Sequence, residues 1–199
     1  SAIAVLSGRV TAGTLAGASN AATASCGTSS ANPDVWHSFT APACAGALTV
    51  STCGSHDAGG VDSNTDTVVS LWSACGGSEL ACNDDAALSG CGALDTGLLR
   101  DSLLTRNLAP GESVLIRVSR WNNNTGTAFT LRANFEIAND VCANAIVVAS
   151  GAATAFCNSG ATTDGPGEAA CLNFGDNQVN GDLWYRYTAP NNGRFTADL

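Results

Sequence analysis

The sequence repeats itself, and this repeat constrains the fold more than any other feature. Residues 1–8 (SAIAVLSG) are similar to residues 144–151 (NAIVVASG), and residues 34–42 (DVWHSFTAP) are similar to residues 182–190 (DLWYRYTAP). Because repeated stretches form repeated local structures, we expect two units of one architecture. Residues 1–137 are predicted to form a complete repeat, and residues 138–199 the N-terminal part of a second, incomplete repeat.

Within each copy the hydrophobic residues alternate with polar ones. Residues 48–51, 114–119 and 129–135 all show this period of two, which is typical of half-buried strands. Gly, Asn, Asp and Pro cluster between the runs, as they do in turns. Since no segment shows a sustained helical period, we expect an all-β fold, an antiparallel β-sandwich with about eight strands per unit.

Charge and cysteine content exclude several classes of protein. The formal net charge is −9, and a nucleic-acid-binding surface would need a basic face instead. No apolar run approaches the roughly 20 residues of a membrane-spanning helix, so we expect no membrane insertion. The nine cysteines do not form C-x-x-C pairs and are expected to form disulfides. An oxidising location, secreted, extracellular or at the cell surface, is therefore predicted.

Four segments resemble a known family. They are residues 66–72 (DTVVSLW), 79–85 (ELACNDD), 113–118 (SVLIRV) and 126–131 (GTAFTL), in that order. This succession is similar to the bacterial pre-peptidase C-terminal domain family and its cysteine-rich repeat relatives. The resemblance implies a jelly-roll-like β-sandwich of the kind appended to secreted proteases, collagenases and large surface proteins.

Comparison of the two copies suggests how the cysteines pair. Cys142 and Cys157 both lack counterparts in the first copy, so we expect them to bond to each other. Cys171 corresponds to Cys26, whose own partner should then also lie at a shared position. The predicted disulfides are Cys26–Cys53, Cys44–Cys91, Cys75–Cys82 and Cys142–Cys157, with Cys171 left unpaired or intermolecular. Each bond would stabilise the fold by about 2–4 kcal/mol.

Acidic residues in two neighbouring segments form a candidate calcium site. Oxygen-bearing side chains alternate along residues 62–66 (DSNTD), as they do at the start of an EF-hand loop. A second acidic group follows at residues 83–85 (NDD). The candidate Ca²⁺ ligands are Asp62, Asn64, Asp66, Asn83, Asp84 and Asp85. The alternative is a solvated acidic loop held by Asx-turns.

The sequence does not favour catalysis. Asp84 and Asp85 are adjacent, and neighbours in sequence rarely converge on one reacting group. His37 alternates with the apolar Val35 and Phe39, which indicates a core position, and no G-x-S-x-G nucleophile motif occurs. The tryptophans could stack on sugars or fill the sandwich, and the second interpretation is preferred. We therefore expect a protein that is not an enzyme.

The second copy presents apolar side chains that need a cover. Their burial would be worth about 10–20 kcal/mol in total. The residues expected to form this assembly surface are Ile146, Val148, Phe156, Leu183, Tyr185, Tyr187 and Phe195. Either the rest of a larger multidomain chain covers them, or another copy does so by strand addition and forms a homo-oligomer or filament.

These observations predict a non-catalytic extracellular β-sandwich repeat that acts in binding, adhesion or spacing. One alternative is a structural subunit of an extracellular filament, joined by strand addition through the second repeat. Another is an accessory module of a secreted hydrolase that binds substrate or calcium, which follows from the resemblance alone. Apart from Ca²⁺, no cofactor is expected.

Overall fold

The protein divides into two compact units. The structure is a computed structural model that describes residues 1–28, 32–55, 65–86, 90–91, 100–167, 169–171, 174–178 and 180–198, without the side chain of Cys171. Unit 1 is Ser1–Phe135 and unit 2 is Glu136–Leu199.

Unit 1 is built from β-strands, the last of which runs past the unit boundary. The strands are β1 (Ile3–Ala4), β2 (Arg9–Thr14), β3 (Asp34–Thr40), β4 (Gly46–Ser51), β5 (Thr67–Trp72), β6 (Glu79–Asn83), β7 (Leu103–Leu108), β8 (Ser113–Arg120) and β9 (Ala128–Ile137). The three segments that alternate in hydrophobicity fall on β4, β8 and β9. The prediction of an all-β sandwich is therefore confirmed.

The strands of unit 1 form two sheets. The first has the order β1-β3-β8-β5-β6 and the second the order β2-β9-β4-β7. Strands β3, β8, β5 and β6 pair antiparallel, as do β2 with β9 and β4 with β7. Strand β1 instead joins β3 in parallel, with Ile3 opposite His37. A short parallel pair is thus attached to the edge of a sheet that was expected to be antiparallel.

The hydrophobic core of unit 1 lies between the two sheets. Strand β8 shows how the sequence places it, because Val114, Ile116 and Val118 point into the core and are at most 1% exposed. The other face of β8 is covered as well, since Arg117 and Ser119 are also buried and Arg117 contacts the loop at Ala22. The core consists of Val5, Leu15, Phe39, Ala41, Leu48, Val50, Val69, Leu71, Leu104, Leu108, Val114, Ile116, Val118, Phe129, Leu131 and Ala133.

The described part of unit 2 contains one strand pair and two single turns of 3-10 helix. Strand β10 (Ile146–Val147) pairs in parallel with β11 (Tyr185–Arg186), and the 3-10 turns are Cys142–Asn144 and Ala169–Cys171. Among the described residues after Ile137, no apolar side chain is buried. The described part of unit 2 therefore lacks a hydrophobic core of the kind that unit 1 has.

The disulfides of unit 1 differ from the predicted ones. Cys26 is bonded to Cys82 and Cys53 to Cys91. The predicted pairs Cys26–Cys53, Cys44–Cys91 and Cys75–Cys82 are therefore wrong.

The reason lies in the folded path of the chain. The amide and hydroxyl of Ser25 donate hydrogen bonds to the Glu79 carboxylate, which places Cys26 beside β6. Cys75 lies at the exposed tip of the β5–β6 hairpin and is free, whereas Cys82 is opposite Ser70 in the ladder. Three residues of strand beyond the start of β6 put Cys82 about 10 Å from this tip, too far for a disulfide.

The cysteine pair expected in unit 2 does not form either. Cys142 is free and exposed, and Cys157 is bonded to a different cysteine. The two have no counterparts in unit 1, but their joint appearance was not sufficient reason to pair them. The expectation for Cys171 concerns a side chain outside the described residues.

Candidate metal centre

Three carboxylates converge at one edge of the five-stranded sheet. Asp66 directly precedes β5, and Asp84 and Asp85 directly follow β6. Because β5 and β6 are antiparallel neighbours, the start of one strand lies beside the end of the other. One oxygen from each of the three carboxylates lies within 4.8 Å of the others. The structure thus brings together residues that are about 18 positions apart in sequence.

The remaining candidate ligands have other positions. The Asn83 side chain is used by the protein itself, since its Oδ1 accepts the Leu103 amide at 2.8 Å and its Nδ2 donates to the Asp85 carbonyl at 3.1 Å. It therefore shapes the loop that carries the carboxylates. Asp62 and Asn64 lie outside the described residues.

The three carboxylates disfavour one another's charge. Burial, followed by the charges of Asp85 and Asp84, raises the pKa of Asp66 to about 6, although Arg100 acts in the opposite direction. Burial and the charge of Asp85 raise the pKa of Asp84 to about 6. Burial also raises the pKa of Asp85.

One oxygen of this cluster lacks a partner. Oδ1 of Asp84 is buried and accepts no hydrogen bond from the described residues. Three carboxylates offer up to about six oxygens, and Ca²⁺ takes six to eight oxygen ligands. The carboxylates that the structure brings together fit the core of such a site.

His37, Trp36 and Trp72, which were considered for function, make structural contacts. His37 is buried, and its ring meets the ring of Phe129 edge-on with centroids 6.1 Å apart. Burial lowers its pKa, which favours the neutral ring. Trp36 packs against Trp72 at 5.9 Å, and their indole nitrogens donate to Asp34 and Ser70.

The model of one protein family matches almost the whole chain, including the acidic residues described above. The family is the galactose-binding-domain-like family associated with the T9SS, which matches residues 3–137 and again residues 138–198. The chain belongs to this family. Galactose-binding-like domains are β-sandwiches, as the resemblance implied, but the match does not confirm the pre-peptidase C-terminal family itself. Among curated proteins no match to the chain is found.

Galactose-binding-like domains are a non-catalytic, binding kind of module, and the association with the T9SS indicates a secreted protein. In the part of the chain that the structure describes, no helix has the length and apolar character needed to cross a membrane.

A buried ion pair in the first galactose-binding-like unit was missed at the level of sequence. Arg117 on β8 donates from Nε to Asp34 at 2.8 Å, and both side chains are at most 1% exposed. The amides of Ala21 and Ala22 also donate to the Asp34 carboxylate, at 3.0 and 3.1 Å. The available signal was the presence of Asp in both copies, as Asp34 and Asp182.

The apolar residues assigned to an assembly surface are accessible to different degrees. Ile146 and Tyr185 lie opposite each other in the β10–β11 pair and are exposed. Tyr187 stacks on Phe195 with ring centroids 4.7 Å apart. Of the full set, Ile146, Phe156, Tyr185 and Phe195 are exposed, and Val148, Leu183 and Tyr187 are half-buried.

Proposed function

We propose that this chain is a non-catalytic extracellular binding module. The observation that carries this proposal is the match of both units to a galactose-binding-like family associated with the T9SS. The disulfides Cys26–Cys82 and Cys53–Cys91 support an oxidising location. The burial of His37 in the core supports a role without catalysis.

The binding role can be tested on an array of immobilised glycans that includes galactosides. The native protein should bind at least one glycan class saturably, and free glycan of that class should compete. A protein that is folded by circular dichroism but binds no glycan would contradict the binding role and favour spacing. Hydrolysis of the arrayed glycans would contradict the non-catalytic role and favour an accessory role within a hydrolase.

A second proposal is that Asp66, Asp84 and Asp85 hold Ca²⁺ and stiffen the edge of the sheet. It rests on their mutual proximity, the unpartnered Asp84 Oδ1 and the raised pKa values of Asp66 and Asp84. A divalent cation between the carboxylates would relieve their repulsion.

Calcium titration followed by calorimetry and thermal unfolding tests this second proposal. Ca²⁺ should raise Tm at pH 7.5 and do so less at pH 5, where Asp66 and Asp84 bind protons. Asp84→Asn should abolish the shift, whereas Asp198→Asn, an exposed residue in unit 2, should leave it unchanged. An equal shift in both variants would show that calcium acts elsewhere.

A further inference from the structure

We propose that the outer face of the five-stranded sheet in unit 1 binds a neutral saccharide against the indole rings of Trp36 and Trp72. This proposal rests on the binding role proposed above and deepens it, because it names a site and a class of ligand for that role. The outer face is the side of the sheet that is turned away from the core. The β3–β8 and β5–β8 ladders put Trp36 opposite Arg117 and Trp72 opposite Leu115 on this face.

One half of the outer face is covered by the chain that connects β2 to β3. We call residues 18–28 the covering segment. Its Ala22 carbonyl accepts a hydrogen bond from Nη2 of Arg117 on β8, at 2.6 Å, and its Cys26 is bonded to Cys82 on β6. The segment therefore passes over β8 and is attached to β6. The outer-face side chains at this end of the sheet are fully buried: Val68, Ser70, Arg117 and Ser119.

The other half of the outer face is accessible to solvent. The hydroxyls of Thr40 on β3 and Ser113 on β8 are hydrogen-bonded to each other across the ladder at 2.8 Å, and both residues are exposed. Apolar and hydroxyl-bearing side chains lie side by side on this part of the sheet. Its half-buried residues are Trp36, Ser38, Leu115 and Trp72.

The two tryptophans lie at the border between the covered and the accessible half. Their rings meet at 64° with centroids 5.9 Å apart, so they form a corner and not a flat stack. Nε1 of Trp36 donates to Asp34 at 3.0 Å, and Nε1 of Trp72 donates to Ser70 at 2.8 Å. Asp34 and Ser70 both lie in the covered half, two residues earlier on the same strands. Since the N–H groups are used within the unit, the ring carbons are the surface that remains for a ligand.

The charged groups of the outer face are all occupied. Among the described residues whose side chains lie on this face, only Asp34, Glu79 and Arg117 are charged. Asp34 and Arg117 are buried and pair with each other, and both oxygens of Glu79 accept hydrogen bonds from Ser25. A phosphate, sulfate or carboxylate on a ligand would therefore lose water without gaining an ionic partner. The charge of the face favours a neutral ligand.

The chemistry of the accessible half favours a saccharide among neutral ligands. A sugar ring has C–H groups that can pack on an aromatic ring, and hydroxyls that need hydrogen-bond partners. The corner of indole rings supplies the apolar contact, and Ser38, Thr40 and Ser113 supply hydroxyls that can donate and accept. An apolar peptide would use the rings and leave these hydroxyls unmatched. The match to a galactose-binding-like family supports a ligand of this class.

An array of printed neutral oligosaccharides, and of the same chains capped with sialic acid, tests the site with the full chain. Neutral chains should bind, and the acidic cap should weaken their binding. Trp72→Ala should weaken binding to the same neutral chain about fivefold or more, because one stacking surface is lost. Trp72→Phe keeps an aromatic ring and should retain most of the affinity. Trp121→Ala, in the exposed turn after β8, should leave binding unchanged.

A second pair of variants leaves both tryptophans in place. Ser113→Arg puts a long side chain across the accessible half of the outer face and should abolish binding. Thr105→Arg makes the same change on the other sheet, where Thr105 is exposed and hydrogen-bonded to Thr49 across the ladder at 2.9 Å. This control should bind like the native protein.

Oxidation of the native protein by N-bromosuccinimide, followed by peptide mass spectrometry, locates the ligand without any substitution. A bound neutral oligosaccharide from the array should protect Trp36 and Trp72 but not Trp121. Binding that survives both Trp72→Ala and Ser113→Arg would overturn this site and leave the binding role intact. Selective binding of the capped chains would overturn the neutral class of ligand. A folded protein that binds no chain would contradict the binding role itself, and this proposal with it.

Discussion

The two units share a local motif but differ in what surrounds it. In unit 1, β3 is flanked by β1 and β8, and its residue His37 is buried. In unit 2, β11 pairs in parallel with β10 in the register in which β3 pairs with β1. Tyr185, which corresponds to His37, is nevertheless exposed. Local sequence thus specifies the parallel strand pair and the aspartate loop. Burial comes from strands that are distant in sequence.

The largest difference between the two units should appear in the hydrogen exchange rates of two matched amides. Val5 and Val148 donate equivalent hydrogen bonds, at 2.9 and 3.0 Å. Val5 belongs to the core cluster and should exchange only through global unfolding, with an opening free energy of about 5–15 kcal/mol. Val148 should exchange with an opening free energy of a few kcal/mol at most. Equal protection in the isolated chain would mean that unit 2 is as cooperative as unit 1.

The next largest effect should be the loss of stability when the buried ion pair of unit 1 is broken. Arg117→Met leaves the Asp34 carboxylate buried without its cation, which should lower the free energy of unfolding by about 3–5 kcal/mol. Arg9→Met, on the exposed side of β2, should change it by less than about 0.5 kcal/mol. Urea denaturation followed by tryptophan fluorescence measures both. Similar values for the two variants would show that the ion pair does not set unit 1 apart.

Removal of a disulfide should lower the free energy of unfolding by somewhat less. Replacing both cysteines of Cys26–Cys82 by serine should lower the stability of unit 1 by about 2–4 kcal/mol, because the bond closes a separation of 56 residues. Cys75→Ser removes a free, exposed thiol and should have no effect. Peptide mapping without reduction should also find Cys26 linked to Cys82, and alkylation should label Cys75 and Cys142. A Cys75–Cys82 peptide would contradict the structure.

The smallest effect should be the pH dependence at the acidic edge of unit 1. Asp66 and Asp84 have a pKa of about 6 in the folded chain, above the ordinary value of an aspartate. The folded state therefore holds their protons more tightly than the unfolded state does. In the absence of calcium, this contribution to stability is complete below about pH 4 and is lost as the pH rises through 6. Thermal unfolding in a chelator between pH 4 and 7 measures it.

Asp66→Asn should flatten this part of the pH profile, because an amide does not titrate. Asp198→Asn, which lies in the exposed part of unit 2, should leave the profile unchanged. A profile that does not respond to Asp66→Asn would place the titrating group elsewhere.

The all-β fold could be predicted from the sequence because the alternation of apolar and polar residues is visible within a single strand. The alternation around Val114, Ile116 and Val118 marks β8 without any knowledge of its neighbours. The parallel pairing of β1 with β3 could not be predicted, since two residues carry too little pattern to define a direction.

The site and the disulfides depend on contacts between segments that are far apart. Asp66 and Asp84 were both among the predicted ligands, but only the β5–β6 pairing brings them together. The disulfides were predicted wrongly because neither the comparison of the two copies nor spacing in sequence shows which segments dock, and Cys26 meets Cys82 through the docking of Ser25 on Glu79. Arg117 alternates with valine and isoleucine like an exposed strand residue, and only the packing of the Ala21–Ala22 loop buries it.

The Cys26–Cys82 bond also determines how unit 1 would respond to tension. If unit 1 is pulled from points just before Cys26 and just after Cys82, the shortest covalent path between these points runs through this disulfide. A separation of 56 residues is thereby withheld from extension, which corresponds to a contour length of roughly 190 Å. In oxidising surroundings these residues would not add to the extension of the unfolded unit. Reduction would release the hidden length, so the bond limits the mechanical extensibility of unit 1.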